Sequence, residues 1–176
     1  MNVFLKRWAI TAIAVVTMSV AAYAQEQGDM AAGVNVVVSS EEELARLGIC
    51  GKFKYNVSDP LRLEGALTLF SKVAHTSTYD LSVNAHWLVP VVEDQLLVYP
   101  LAGLGLYTVR VSNSDYSNSE SRVGFNLGFG ADFIINDNIS LNYELKYKFI
   151  SLDDDDELSK FYTKMSFITI GIAFNF

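Results

Sequence analysis

Apolar and polar residues alternate along this chain with a period of two, the repeat expected of a β-strand with two different faces. From Val123 the odd positions read Val123, Phe125, Leu127, Phe129, Ala131, Phe133 and Ile135, with Arg122, Gly124, Asn126, Gly128, Gly130 and Asp132 between them. The next run sets Ile139, Leu141, Tyr143, Leu145, Tyr147 and Phe149 against Ser140, Asn142, Glu144, Lys146 and Lys148. Earlier, Leu61, Leu63, Leu67 and Leu69 oppose Arg62, Glu64 and Thr68, and Tyr79, Leu81, Val83, Ala85 and Trp87 oppose Asp80, Ser82, Asn84 and His86. The last row, Ile168, Ile170, Ile172, Phe174 and Phe176, is apolar throughout. Turn residues separate the runs, so the pattern predicts eight strands at about 29–38, 47–57, 61–71, 78–89, 96–109, 122–135, 139–151 and 162–176.

Alternation does not say which face points outward, and a soluble ligand-binding barrel would show the same period. Side-chain volume decides. An eight-stranded barrel is barely wide enough for its own side chains. The rows of Phe, Tyr, Leu and Ile would overfill it, whereas the polar rows are interleaved with Gly124, Gly128, Gly130, Gly171 and Ala173. The apolar face is therefore expected to meet lipid, with Gly103 and Gly105 of strand five turned inward. The fold class that follows is an all-β, transmembrane, eight-stranded antiparallel up-and-down barrel.

The connections agree. Those after strands two, four and six are short: Ser58 to Pro60, Pro90 to Gln95 and Asn136 to Asn138. Ser39–Arg46, Lys72–Ser77, Arg110–Ser121 and Leu152–Phe161 are longer and more polar, as expected of extracellular loops opposite periplasmic turns. Tyr55, Trp87, Tyr99, Tyr107, Tyr147, Phe161 and Tyr162 gather toward strand ends, where aromatic girdles meet the membrane interface.

At the amino end, Lys6 and Arg7 precede an apolar run from Trp8 to Val20 that closes on Ala22-Tyr23-Ala24. This predicts a cleaved signal peptide over residues 1–24 and a barrel domain over 25–176. Cleavage would remove two positive charges and no acidic group, taking the net charge from −7 to −9. Such a balance argues against nucleic acid, whose phosphates call for a basic patch. The one cysteine, Cys50, excludes an internal disulfide and reads as a small apolar filler.

Tyr99-Pro100-Leu101-Ala102-Gly103-Leu104-Gly105 resembles the Gly-rich fifth strand of small outer-membrane β-barrel proteins. Phe125 to Asp132, with Asn136-Asp137-Asn138-Ile139-Ser140-Leu141 and Glu144, is similar to the strand–turn–strand centre of that family. The family includes the OmpX type and the transmembrane domain of the OmpA type, with members described as porin-like. The resemblance implies residence in the outer membrane of a Gram-negative bacterium, among outer-membrane lipid and lipopolysaccharide. It also implies that the row Ile168, Ile170, Ile172, Phe174 and Phe176 is the signal read by the barrel-assembly machinery. No C-terminal peptidoglycan-binding domain of the OmpA type follows the barrel, so tethering of the cell wall is not implied.

Candidate chemistry lies in the lumen. Lys52, Lys54, Arg62, Glu64, Asp80, Arg122, Asp132, Glu144, Lys146 and Lys148 are all expected to face inward. Charges in so narrow a space are costly unless paired, which predicts an ion-pair network that fills the barrel. A narrow ion path along the same charges is the alternative, and would make the protein a small porin for ions or small solutes.

Asp80, Ser82 and His86 share a strand face and suggest a lipid-modifying hydrolase. At ~3.3 Å per residue, however, Ser82 and His86 lie about 13 Å apart, too far for a nucleophile and its base. The chain is accordingly read as a non-enzyme without catalytic residues, cofactor or metal. Asp153-Asp154-Asp155-Asp156-Glu157 lacks the spacing and glycine of a calcium loop and reads as a solvated surface segment, with Glu41-Glu42-Glu43 beside it. A structural or surface-interaction role, with an extracellular ligand met through the loops, is the leading expectation.

Overall fold

The computed structural model describes residues 27–41, 44–72, 76–92, 95–113, 116–151 and 161–176. Its strands are β1 (Met30–Glu41), β2 (Leu44–Ser58), β3 (Leu61–Phe70), β4 (Thr76–Trp87), β5 (Leu96–Asn113), β6 (Tyr116–Asn136), β7 (Ile139–Ser151) and β8 (Phe161–Asn175). The segment Val89–Val92 continues β4. The register is unchanged across the gap, with His86 opposite Leu101 and Val89 opposite Val98. The interruption faces Pro100, which has no N–H to give to a ladder. Each strand pairs antiparallel with its chain neighbour, and β1 pairs with β8, so the sheet closes into an eight-stranded barrel. At the seam the backbones of Met30 and Phe176 exchange hydrogen bonds of 3.1 and 2.9 Å. A closed sheet has no unpaired edge within its span, which is the condition for a strand structure in hydrocarbon.

The two faces separate as volume requires. Leu81, Val83, Leu104, Val123, Phe129, Ile170 and Phe174 are exposed on the outside, Leu104 at 63 %. Phe125 and Phe149, cross-strand partners, stack there at 4.6 Å. On the inside, Glu64, Asn84, His86, Asn126, Glu144 and Lys148 have no accessible surface. The barrel is thus inverted relative to a soluble protein, with its apolar surface outward and its charges enclosed.

The interior is layered. Toward the end bearing connections 42–43, 73–75, 114–115 and 152–160, Val37, Cys50, Ala66, Phe70, Tyr107, Ile150, Met165 and Phe167 form an apolar plug. Phe70 and Phe167 meet in it at 5.9 Å between ring centroids. Cys50 is a buried free thiol within this layer. Toward the short turns, Leu88, Tyr99 and Leu101 form a second apolar cluster. The charged residues fill the lumen below the plug, and Tyr99 of the second cluster packs among them, 4.6 Å from the Arg62 guanidinium.

Two expectations from the sequence are corrected. Ser39–Arg46 and Arg110–Ser121 are mostly paired strand, with Ser39 opposite Arg46 and Arg110 opposite Ser119. At that end both strand faces leave the apolar band, so alternation fades while backbone pairing continues. Tyr99 and Tyr107, expected in the girdles, are instead turned into the lumen and buried. Tyr55, Trp87 and Tyr147 are exposed on the outer face, whereas the side chains of Phe161 and Tyr162 lie outside the described residues. Outside the described residues too are His75, Glu42 and Glu43 of the first acidic run, and the run from Asp153 to Glu157.

Candidate functional site

The enclosed charges come from facing strands, each delivered by the even or odd phase of its own alternation. β2 supplies Lys52 and Lys54, β3 supplies Arg62 and Glu64, and β4 supplies Asp80, Asn84 and His86. β6 supplies Asn126 and Asp132, and β7 supplies Asn142, Glu144, Lys146 and Lys148. All are buried.

Three groupings follow. Nearest the short turns, Asp132 takes two cations: Arg62 Nη1 at 2.7 Å and Lys54 Nζ at 3.1 Å. Asn142 donates to Asp132 at 2.6 Å. In the middle, Lys52 is shared by two carboxylates, at 3.4 Å from Glu64 and in closer contact with Glu144. Asn84 donates to Glu64 at 3.1 Å, and Asn126 donates to Asn84 at 2.9 Å. Further up, Lys148 pairs with Asp80. Lys146 lays its ammonium 5.7 Å from the Phe167 ring centroid. Charges at this burial are tolerable only with such partners, because desolvation of each ion costs several kcal/mol.

Tyr99 and His86 tie the lower two groupings together. The Tyr99 hydroxyl donates to Glu144 at 2.9 Å and accepts from Asn142 at 2.7 Å. His86 stacks on the Tyr99 ring at 4.4 Å and accepts from Arg62 through Nδ1 at 3.3 Å. That bond places the neutral imidazole's proton on Nε2, which faces Glu64 at 3.8 Å. Gly130 makes room for this contact, since a Cβ there would lie 2.6 Å from the Tyr99 ring and 2.7 Å from Glu144 Cγ. Alternation did not reveal Tyr99 as a network member, because Leu97 to Leu101 is apolar in both phases apart from the tyrosine itself.

Arg122 does not join the network. It lies above the barrel, more than a third exposed, and pairs with Glu120 two residues earlier on the same strand. Asp80, Ser82 and His86 share a face but no chemistry, because Asp80 is held by Lys148 and His86 by Arg62 and Tyr99. Donor atoms of Glu64, His86 and Glu144 lie within 4.8 Å of one another, a spacing that fits a metal ion. Lys52 already contacts both carboxylates, so the chain supplies its own cation at that point.

Comparison with known proteins gives the context. No curated protein sequence matches the chain. Among solved structures, the N-terminal β-barrel domain of Pseudomonas aeruginosa OprF superposes with a TM-score of 0.65 at 18 % identity, over 86 % of this chain and 100 % of that one. Neisserial surface protein A gives 0.63 at 14 % identity, over 84 % and 96 %. The Yersinia pestis attachment invasion locus protein Ail gives 0.58 at 18 % identity, over 85 % and 99 %. At these identities the likeness establishes the barrel fold. Residues 10–176 match the family described as outer membrane protein beta-barrel domain, nearly the whole chain, and this protein belongs to that family.

Proposed function

We propose that the protein is a sealed outer-membrane scaffold that presents a surface-interaction edge outside the bilayer. The β5–β6 hairpin carries this reading. A strand crosses the hydrocarbon in roughly 9–11 residues, whereas β5 has 18 and β6 has 21. The excess lies at the end away from the short turns, which is the extracellular end in this reading. There, residues Tyr116 to Val123 of β6 pair only with β5 among the described residues, since the ladder to β7 begins at Gly124 opposite Ile150. A hairpin that projects beyond the hydrocarbon on a rigid barrel offers its surface to a partner outside the bilayer.

Lipid and lipopolysaccharide would surround the apolar outer face, and the barrel would reach the membrane after loss of its signal peptide. Ail, the attachment invasion locus protein, has also been solved in complex with the heparin analogue sucrose octasulfate. That precedent supports surface contact by this kind of barrel. The net charge of −7 here points to a different partner from that polyanion.

The scaffold reading rests on a lumen filled by an apolar plug and a paired charge network, in which the described inward charges are engaged with one another. Refolded protein in a planar bilayer tests it. The expected record is a flat baseline without steady openings. Regular single-channel steps would establish the alternative, a small porin conducting along the lumen charges.

A further inference from the structure

Across β4, β5 and β6 the register lines residues up in rows. Leu81, Leu106 and Val123 form the last apolar row of the outer face, all three exposed, with Leu106 opposite both others. The next row toward the long strand ends reads Tyr79, Thr108 and Ser121, and the Thr108 and Ser121 hydroxyls are 2.9 Å apart. The row after it reads Ser77, Arg110 and Ser119. These rows belong to the outer wall. Tyr107 is buried in the lumen and Val109 packs against the apolar plug, which leaves Thr108 and Arg110 on the opposite phase.

Arg110 is exposed and makes no ion pair among the described residues. Glu120, on the partner strand, stands opposite Val109 on the inward phase and pairs with Arg122. Lys72 is exposed just past the end of β3. Leu69 stands opposite Tyr79, which places Lys72 close to the level of Arg110 and two strands away, roughly 10 Å at ~4.8 Å per strand. A chain of net charge −7 thus carries a locally basic, hydroxyl-rich sector on this wall.

Height decides what meets that sector. Two rows are about 13 Å of strand at ~3.3 Å per residue, or about 10 Å along the membrane normal at a tilt of roughly 40°. From there a guanidinium on its flexible stem reaches back to the headgroup phosphates. The geometry points to a docking site for a phosphorylated glycolipid headgroup, that of lipopolysaccharide. Arg110 turns its planar fork of N–H donors to one phosphate. Lys72 meets a second phosphate of the same headgroup, and the Ser77 and Ser119 hydroxyls meet its sugar. The site rests on the extracellular placement of the long strand ends, and it names one partner of the surface they present.

The test uses refolded protein in phosphatidylcholine nanodiscs, with the amide chemical shifts of Ser77, Arg110 and Ser119 followed. The discs carry increasing fractions of lipid A with two phosphates, lipid A with one, or phosphatidylglycerol, and inorganic phosphate is titrated separately. Lipid A with two phosphates should shift these amides saturably and at the lowest fraction. Arg110→Gln and Lys72→Gln, both at exposed positions, should each weaken it by about fivefold, the scale of one exposed ion pair. Arg122→Gln, on the inward phase, should leave it unchanged. Equal binding of phosphatidylglycerol or inorganic phosphate would overturn the proposal in favour of a general anion site. Absence of shifts, or an unchanged affinity in Arg110→Gln or Lys72→Gln, would overturn it altogether. Placement is read separately in intact cells, where Ser112→Cys should be labelled by a membrane-impermeant maleimide and the parent protein, whose Cys50 is buried, should not. Absence of labelling would contradict the extracellular placement even with lipid A bound in nanodiscs, and the lipopolysaccharide assignment would fall with it.

Discussion

Replacing Asp132 with leucine is expected to lower the unfolding free energy of the reconstituted barrel by about 3–5 kcal/mol. The carboxylate is 1 % exposed and holds Arg62 at 2.7 Å and Lys54 at 3.1 Å, with Asn142 donating at 2.6 Å. Its removal strands two buried cations and an amide donor. The cost is that of uncompensated burial, and it exceeds what the intact grouping contributes. The triple change Lys54→Met, Arg62→Leu, Asp132→Leu should therefore recover much of the loss, because apolar groups of similar volume need no partners. Urea unfolding in lipid vesicles measures both. A single variant within about 1 kcal/mol of the parent protein would mean that water reaches Asp132 and that the network is not sealed.

Leu127→Arg on the outer face should cost about 2–4 kcal/mol, the depth-dependent penalty for a charge facing the middle of a bilayer. Leu127 is 46 % exposed and lies midway along the apolar row of β6, opposite Ala102 and Tyr147. The comparison is Val111→Arg. Val111 is also exposed but sits in the projecting part of β5, opposite Asn118, where water is available. There the change should stay within about 0.5 kcal/mol, as for ordinary surface positions. Equal penalties at the two sites would mean that the hydrophobic band is wrongly placed along the strands.

The barrel was legible in the sequence because period two is a direct consequence of strand geometry, and a membrane barrel enforces it on every strand. The inward placement of Glu144, Lys146 and Lys148 could be read from Tyr143, Leu145 and Tyr147 between them. Their partners could not. Lys52 meets Asn142 from ninety residues away, and the register across the barrel depends on stagger that no local pattern encodes. Tyr99 was misplaced for a related reason, since an aromatic at a strand end suits an interface as well as it suits a lumen. Arg122 lies on the inward phase of β6 but beyond the enclosed part of the barrel, so phase alone assigned it wrongly. The strand extensions at Arg110–Ser121 were hidden because a ladder in water on both faces has no reason to alternate.

Trp87 offers the most direct test of the arrangement as a whole. In a chain beginning at Gln25 it is the only tryptophan, and it stands 43 % exposed on the outer face at the end of β4. The structure predicts that its fluorescence in reconstituted vesicles is strongly quenched by lipids brominated just below the headgroup and is little affected by acrylamide in the water. Quenching by acrylamide with none from brominated lipid would contradict the account, because the apolar face would then not be the one that meets the membrane.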